Sequence, residues 1–318
     1  MFDPSAINTS FSAKLPGMQL AIDSTSLGVY KTCPMRYRLE ILEGWTTKQE
    51  NVHFKFGILL HSAREKYEYA RVRGLDHDAC LDVALDYVLR ETWNTTLRRP
   101  WISDHPKKNR LTLIQTVVWY LDAKAKDDPL ETVILANGKP AVELSFRFNS
   151  GVKTTKTQED IILCGHMDRI AKLGINHYVP DIKTSSSDVT SPNWVKQFSP
   201  HNQFTIYTIA GKVAFDFDIS GVMVDGIYIM SEGIRMHRAP IPRSLENLEE
   251  FMQDFAAVTR EMEISATTQH WRKNEMACGM YGGCPWRDMC NKGEASRQKW
   301  LQAEYTKRVW DPMIPRGE

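Results

Sequence analysis

The chain has 318 residues, 42% of them hydrophobic, enough to bury a real core in one large domain or two modest ones. Its charges nearly cancel, at +1, so net charge offers no argument for nucleic acid, which local basic patches and metal ions would have to hold. No run of eighteen apolar residues occurs, so no membrane span is expected, and the N-terminus lacks a basic region followed by an apolar core, so it does not read as a secretory signal.

Residues 1–23 read as an irregular segment. From Ser24 the text STSLGVYKTCPMRYRLEILEGW predicts a helix, with Ser24 or Ser26 as its cap. FKFGILLHSAREKYEYARVRG is helical in period and stops at Gly74. LDHDACLDVALDYVLRETW and LTLIQTVVWYLDAKAK predict two more helices. A loop rich in Arg, Lys and Pro separates them. The texture then changes. PAVELSFRFN alternates apolar and polar positions as a strand does. EDIILCGHMDRIAKLG and INHYVPDIKTSS follow as strands joined at Gly174. QFTIYTIAGKVAF predicts a helix, GVMVDGIYIM a strand, and IRMHRAPIP its hairpin partner. SLENLEEFMQDFAAVTREMEI predicts a helix capped by Ser244, with acidic residues in its first turn. The order is that of an α/β fold, a mixed central sheet flanked by helices, with a helical insertion and a cysteine-rich end.

The tripeptide Asp/Glu-x-Lys occurs at Asp122–Lys124 and at Asp181–Lys183. Two hits are close to chance, so context must separate them. Asp122 lies in a helical run, where residues two apart point to different faces. Asp181 ends the apolar run INHYVP. On a strand, positions 181 and 183 share a face, so a carboxylate and an ammonium sit side by side. The Gly174 turn would bring Asp168, in CGHMDRI, close to Asp181. Two close carboxylates repel, and a hard divalent cation relieves that repulsion: Mg²⁺ prefers carboxylates, water and phosphate oxygens. Lys183 could then orient a water or neutralise charge on a phosphorus centre.

Seven short pieces run in a fixed order: Ser26-Leu27 with Tyr30 and Cys33-Pro34; Gly57-x-x-x-His61; Glu143; Gly165-His166-Met167-Asp168; Asp181-Ile182-Lys183-Thr184; Gln203-x-x-x-Tyr207; and Cys278, Cys284, Cys290. In these the chain resembles the RecB-like branch of the PD-(D/E)xK nuclease superfamily. It is most similar to the iron–sulfur members: AddB-type helicase-nuclease subunits, CRISPR-associated adaptation exonucleases and related phage exonucleases. The resemblance implies a restriction-endonuclease-like fold. It implies His61, Asp168, Asp181 and the Ile182 carbonyl as ligands of Mg²⁺ or Mn²⁺, and Lys183 as the catalytic lysine. Glu143 would be a supporting carboxylate of the catalytic site. Gln203 and Tyr207, one helical turn apart, would line the site and touch DNA.

Six cysteines occur. Without a secretory signal, thiols stay reduced, and metal binding is the stronger reading for the clustered set. Cys278, Cys284 and Cys290 have five residues between neighbours, where zinc sites more often have two to four. Soft thiolates also suit iron–sulfur clusters, commonly held by four cysteines. The resemblance implies Cys33 as the fourth ligand of a [4Fe-4S] cluster. Cys80 and Cys164 read as buried thiols. The expected organisation is an irregular segment at 1–23, a nuclease core at 24–265 with a helical insertion at about 57–126, and a cysteine-rich segment at 266–318 that joins Cys33.

Arg98, Arg99, Lys107, Lys108 and Arg110 cluster around Trp101 in the loop between helices. They read as a track for a single strand or as a solvated loop. The expected function is a metal-dependent DNA exonuclease acting on single-stranded DNA or duplex ends, in recombination, repair, CRISPR adaptation or phage DNA processing. The alternative is a non-catalytic DNA-binding or scaffold protein. The sequence has no helicase P-loop, so unwinding would fall to a separate helicase or recombination protein. The expected location is the cytoplasm of a bacterial cell or phage-infected host, away from membranes.

Overall fold

The computed structural model describes residues 10–48, 50–215, 217–230 and 232–314. In chain order the helices are α1 (Ser24–Thr32), α2 (Pro34–Tyr37), α3 (Val52–Val72), α4 (His77–Glu91), α5 (Arg110–Asp127), α6 (Pro192–Lys196), α7 (Asn202–Ala214), α8 (Leu245–Thr268), α9 (Arg287–Cys290) and α10 (Glu294–Glu304). The strands are β1 (Ala21–Ile22), β2 (Trp45–Thr47), β3 (Trp93–Asn94), β4 (Arg99–Pro100), β5 (Glu131–Thr132), β6 (Val142–Lys153), β7 (Asp160–Arg169), β8 (Ala171–Leu173), β9 (Asn176–Ser185), β10 (Ile219–Met230), β11 (Gly233–Pro242) and β12 (Tyr305–Lys307). The chain divides into two compact units. One comprises Met1–Gln49, Ser145–Gly165 and Ser244–Pro315; the other comprises Glu50–Leu144, His166–Arg243 and Arg316–Glu318.

In the first unit, residues 1–9 lie outside the described residues. Phe11 bridges Gln19, and β1 pairs in parallel with β7. The cap of α1 is Asp23, not Ser24 or Ser26. Its carboxylate accepts from the Ser26 amide at 2.9 Å, and the Ser26 hydroxyl bonds back, so Ser26 completes a capping box. The expected single helix is also broken: Cys33 is extended, and Pro34 restarts the chain as α2. Tyr30 and Tyr37 meet edge to face at 5.3 Å, and Tyr37 lies 5.7 Å from Trp271. Their hydroxyls are not left dry. Tyr30 bonds Ser265 at 3.1 Å, and Tyr37 donates to Gln19 at 2.8 Å. Ser244 caps α8 as expected.

The second unit is built on the sheet β11-β10-β9-β8-β5. β10 runs parallel to β9, and α6 and α7 make the crossover between them. The β8–β9 and β10–β11 pairs are antiparallel. The sheet is mixed, as expected. Buried residues of α3, α4 and α5, among them Phe56, Leu60, Ala84, Val117 and Leu121, form one core with Ile182, Ile227 and Ile229 of the sheet. Cys80 is buried in that core, as expected of a packing thiol. Gly211 lets α7 lie close on the sheet: a Cβ there would stand 2.3 Å from Ile219.

Candidate nuclease centre

β9 lies between β8 and β10, so its residues are held from both sides. Asp181 is 1% exposed. Lys183 Nζ lies 3.0 Å from its Oδ2 and donates to Oδ1 at 3.2 Å. The same ammonium donates to Gln203 Oε1 at 3.0 Å, and Gln203 Nε2 donates to the Tyr207 hydroxyl at 2.8 Å. The i,i+4 spacing on α7 thus builds a relay behind the lysine. The other copy of the tripeptide has no such arrangement. Asp122 pairs with His77 at 3.0 Å, while Lys124 pairs with Asp225 at 3.2 Å.

Asp168 is the penultimate residue of β7, which belongs to a different sheet from β9. The true hairpin is β8–β9, turning at Gly174 with φ +60°. Its register pairs Leu173 with Asn176 and Ala171 with Tyr178, and Asp168 lies close enough to Asp181 for its charge to act on that carboxyl. His61 joins them from α3. Its Nδ1 lies 2.8 Å from Asp168 Oδ2, and its Nε2 donates to the Ile182 carbonyl at 2.9 Å. Burial alone would lower the His61 pKa. The Asp168 charge and hydrogen bond, with Asp181 behind them, outweigh it and push the ring up to about 9. Burial raises the Asp181 carboxyl, opposed first by Lys183; Asp168 adds to the rise and His61 opposes it.

Glu143 stands at the edge of this group. With His61, Glu65, Asp168 and Ile182 it lines a recess of about 20 Å³, room for one water or one ion. Its backbone is left-handed, φ +50°, a strained state for a residue with a Cβ and one that tends to gather at functional sites. Opposite Lys183 on β10 is Gly226, where a Cβ would stand 2.4 Å from the Trp194 ring. The absent side chain therefore gives Trp194 its place. Trp194 lines a cavity of about 570 Å³ with Lys183, Thr184, Ser187 and Asn193.

Among the described residues, no group of three or more His, Cys, Asp or Glu is arranged to hold a metal ion. The local reason is visible at the site: His61 and Asp168 face each other, and Asp181 faces Lys183. The donor set nonetheless suits a hard cation. Two carboxylates, a main-chain carbonyl and an imidazole lie together, and Asp181 Oδ2 is buried without accepting a hydrogen bond.

The four cysteines of the expected cluster all belong to the first unit, and all six cysteines are free thiols. Burial raises the Cys284 and Cys290 thiols. Cys284 also feels Cys278 and Cys33, and Cys290 feels Cys284 and Cys33. Cys164 is buried, its thiol pushed well up by burial, which suits the packing role expected of it.

Two features escaped the sequence reading. Lys108, expected in an exposed basic loop, is 5% exposed and donates to Thr184 Oγ1 at 3.0 Å. The buried Glu68 carboxylate joins Thr132, the buried Arg64 and Arg169, and the exposed Arg71. The only signal for the latter was the i,i+4 and i,i+3 spacing of Arg64, Glu68 and Arg71 on α3, which says nothing of Arg169 or Thr132 on the strands.

The PD-(D/E)XK nuclease superfamily profile matches residues 24–291. The chain belongs to that superfamily. Among solved structures it is similar to a candidate exonuclease from Eubacterium rectale, at 10% identity and a TM-score of 0.51, covering 86% of this chain and 89% of the other. That likeness concerns the fold. A second structure, of SSO0001, aligns at 14% identity over 86% and 87% of the two chains with a TM-score of 0.33. No curated protein matches. Of the two Asp-x-Lys tripeptides, Asp181–Lys183 lies on a strand and Asp122–Lys124 on a helix. No described helix is long and apolar enough to cross a membrane.

Proposed function

We propose that this nuclease is a metal-dependent DNA exonuclease, hydrolysing phosphodiester bonds of single-stranded DNA or duplex ends. The observation that carries the reading is the buried Asp181 carboxylate, paired with Lys183 and set beside Asp168, His61 and the Ile182 carbonyl. Those four groups, from His61 to Ile182, would hold Mg²⁺ or Mn²⁺. A cation bound there would polarise the phosphate and an attacking water. Lys183 donates to phosphate oxygen as charge develops on it. Gln203, itself fixed by Tyr207, keeps the ammonium aimed while Asp181 holds its other side. Glu143 supports the same recess as a further acceptor.

Cys33, Cys278, Cys284 and Cys290 would hold a [4Fe-4S] cluster with a structural role. The effect of Cys33 and Cys278 on the Cys284 thiol, and of Cys33 and Cys284 on the Cys290 thiol, supports this reading. Soft thiolates in fourfold number fit such a cluster. The nuclease would act in recombination, repair, CRISPR adaptation or phage DNA processing, in the cytoplasm, beside a separate helicase or recombination protein. Retention of Asp168, Asp181 and Lys183 together speaks against a purely non-catalytic scaffold.

The deciding experiment is cleavage of end-labelled single- and double-stranded DNA with Mg²⁺, with Mn²⁺ and with EDTA. Shortening from an end, dependent on the metal, is expected. A closed circular substrate cut as fast as a linear one would overturn the exonuclease reading.

A further inference from the structure

Lys183 has an aromatic neighbour on its own face of the sheet. Its register partner on β10 is Gly226, and paired residues of adjacent strands point to the same side. With no side chain at 226, the rim of the Trp194 ring rests there instead; a Cβ would meet three of its benzo-ring carbons at 2.4, 2.8 and 3.0 Å. The buried Phe198 braces the indole edge to face, with ring centroids 4.9 Å apart. Trp194 is itself only half-buried, and it shares with Lys183 the lining of the cavity of about 570 Å³. That volume falls within the range of pockets that hold small molecules, about 300–1,000 Å³.

The same wall continues into Thr184, and a buried cation stands behind it. Lys108 Nζ donates to Thr184 Oγ1 at 3.0 Å. Burial alone lowers the Lys108 pKa, and among the described residues no acid offsets its charge. The Thr184 hydroxyl accepts from that ammonium, which leaves its own proton, polarised by the charge, to donate into the cavity. Asp188, the acid of the lining, is already met by Arg235 at 2.9 Å and by the Thr190 hydroxyl at 2.8 Å. Asn193 brings to the lining an amide with no side-chain partner among the described residues. The cavity thus joins an aromatic ring, an unpaired amide and two donors to an anion, Lys183 and Thr184. A nucleotide matches that set: a flat base for the ring, a polar base edge for the amide and a phosphate for the donors.

We propose that this cavity is a subsite for the terminal nucleotide of a DNA strand, its base stacked on Trp194 and its phosphate held by Lys183 and Thr184. A base held there has left its stack and its pairing partner, which costs least when the strand is already single. Trp194 is therefore a specificity-determining residue that favours unpaired ends. The inference deepens the exonuclease reading and rests on it for the terminal position, although binding can be measured without cleavage.

The test uses the full chain and fluorescein-labelled oligothymidylates in EDTA, with anisotropy as the measure of binding. One strand is intact; the others lack a single base, at the 5′ end, at the 3′ end or in the middle. Loss of the base at one of the two ends should weaken binding to the wild-type chain by at least about five-fold, and loss of the middle base by less than about twofold. Trp194→Ala should weaken binding of the intact strand by the same factor and gain no further loss from the missing end base, while Trp194→Phe should restore binding. Equal affinity for all four strands, an equal loss at end and middle, or losses from Trp194→Ala and the missing base that simply multiply would overturn the subsite. Melting checks the variants; should Trp194→Ala fail to fold, the four strands on the wild-type chain decide the matter. Failure of the wild-type chain to cut DNA with either metal would sink the exonuclease reading instead, and the binding series would still decide this one.

Discussion

Lys183 and Asp181 face each other across 3.0 Å on one strand, with the carboxylate almost fully buried. The pair is set by the two-residue repeat along β9 and by the Gln203 contact. A buried carboxylate is costly without a compensating charge. Lys183 therefore stands where its charge opposes the rise that burial imposes on the Asp181 carboxyl.

Lys183→Ala should lower the rate of metal-dependent DNA cleavage by at least about 100-fold, the scale of removing one preorganised donor from a phosphate site. Lys124→Ala, at the other copy of the tripeptide, should leave cleavage within about threefold once corrected for stability. Initial rates on a labelled linear substrate give the comparison. Equal loss in both variants would show that the site lies elsewhere.

Glu68 governs acid stability. Burial would raise its pKa, but Arg64, then Arg169 and Arg71, hold it down at about 2. Because the folded value is depressed, its contribution is complete above about pH 4.5 and is lost as pH falls toward about 2. Urea unfolding of Glu68→Gln at neutral pH should show a loss of about 3 kcal/mol, from arginines left without their carboxylate. The gap to wild type should narrow steadily below about pH 4.5. A gap independent of pH would mean that Glu68 acts by shape alone.

Gly226 is a spatial requirement of the site. Gly226→Ala should drive Trp194 from its place and lower the melting midpoint by several degrees, consistent with about 1–3 kcal/mol of overpacking. Adding Trp194→Ala should recover most of that loss, a coupling expected only for residues in contact. Additive losses in the double variant would remove Trp194 as the cause.

The cysteine proposal is read by colour. Anaerobically purified protein should absorb broadly near 400 nm and carry about four irons, and Cys284→Ala should lose both and much of its solubility. A cluster joining Cys33 to the C-terminal cysteines would close a loop of more than two hundred residues, worth on the order of 5 kcal/mol against the unfolded chain. Stoichiometric zinc without colour would replace the cluster with a different metal.

Local signals in the sequence carried much of the fold. Periodicity marked α3, α4, α5 and α8 and alternation marked β6, while β9 was marked by its apolar run, because its middle residues are buried on both faces. The same signals misplaced the cap of α1, where Asp23 outcompeted two serines, and did not show the break at Cys33. At the centre, strand alternation was enough to prefer Asp181–Lys183 over Asp122–Lys124.

What the sequence determined by itself was which residues share a face: 181 with 183 on a strand, and 203 with 207 on a helix. Those relations follow from backbone geometry and need no partner. The tertiary structure alone decided what lies opposite each face. It set His61 between Asp168 and the Ile182 carbonyl, gave Asp122 to His77 and Lys124 to Asp225, and buried Lys108 against Thr184. These contacts join segments far apart in the chain. They are fixed by packing of α3 and α5 on the sheet, which no local window of sequence contains.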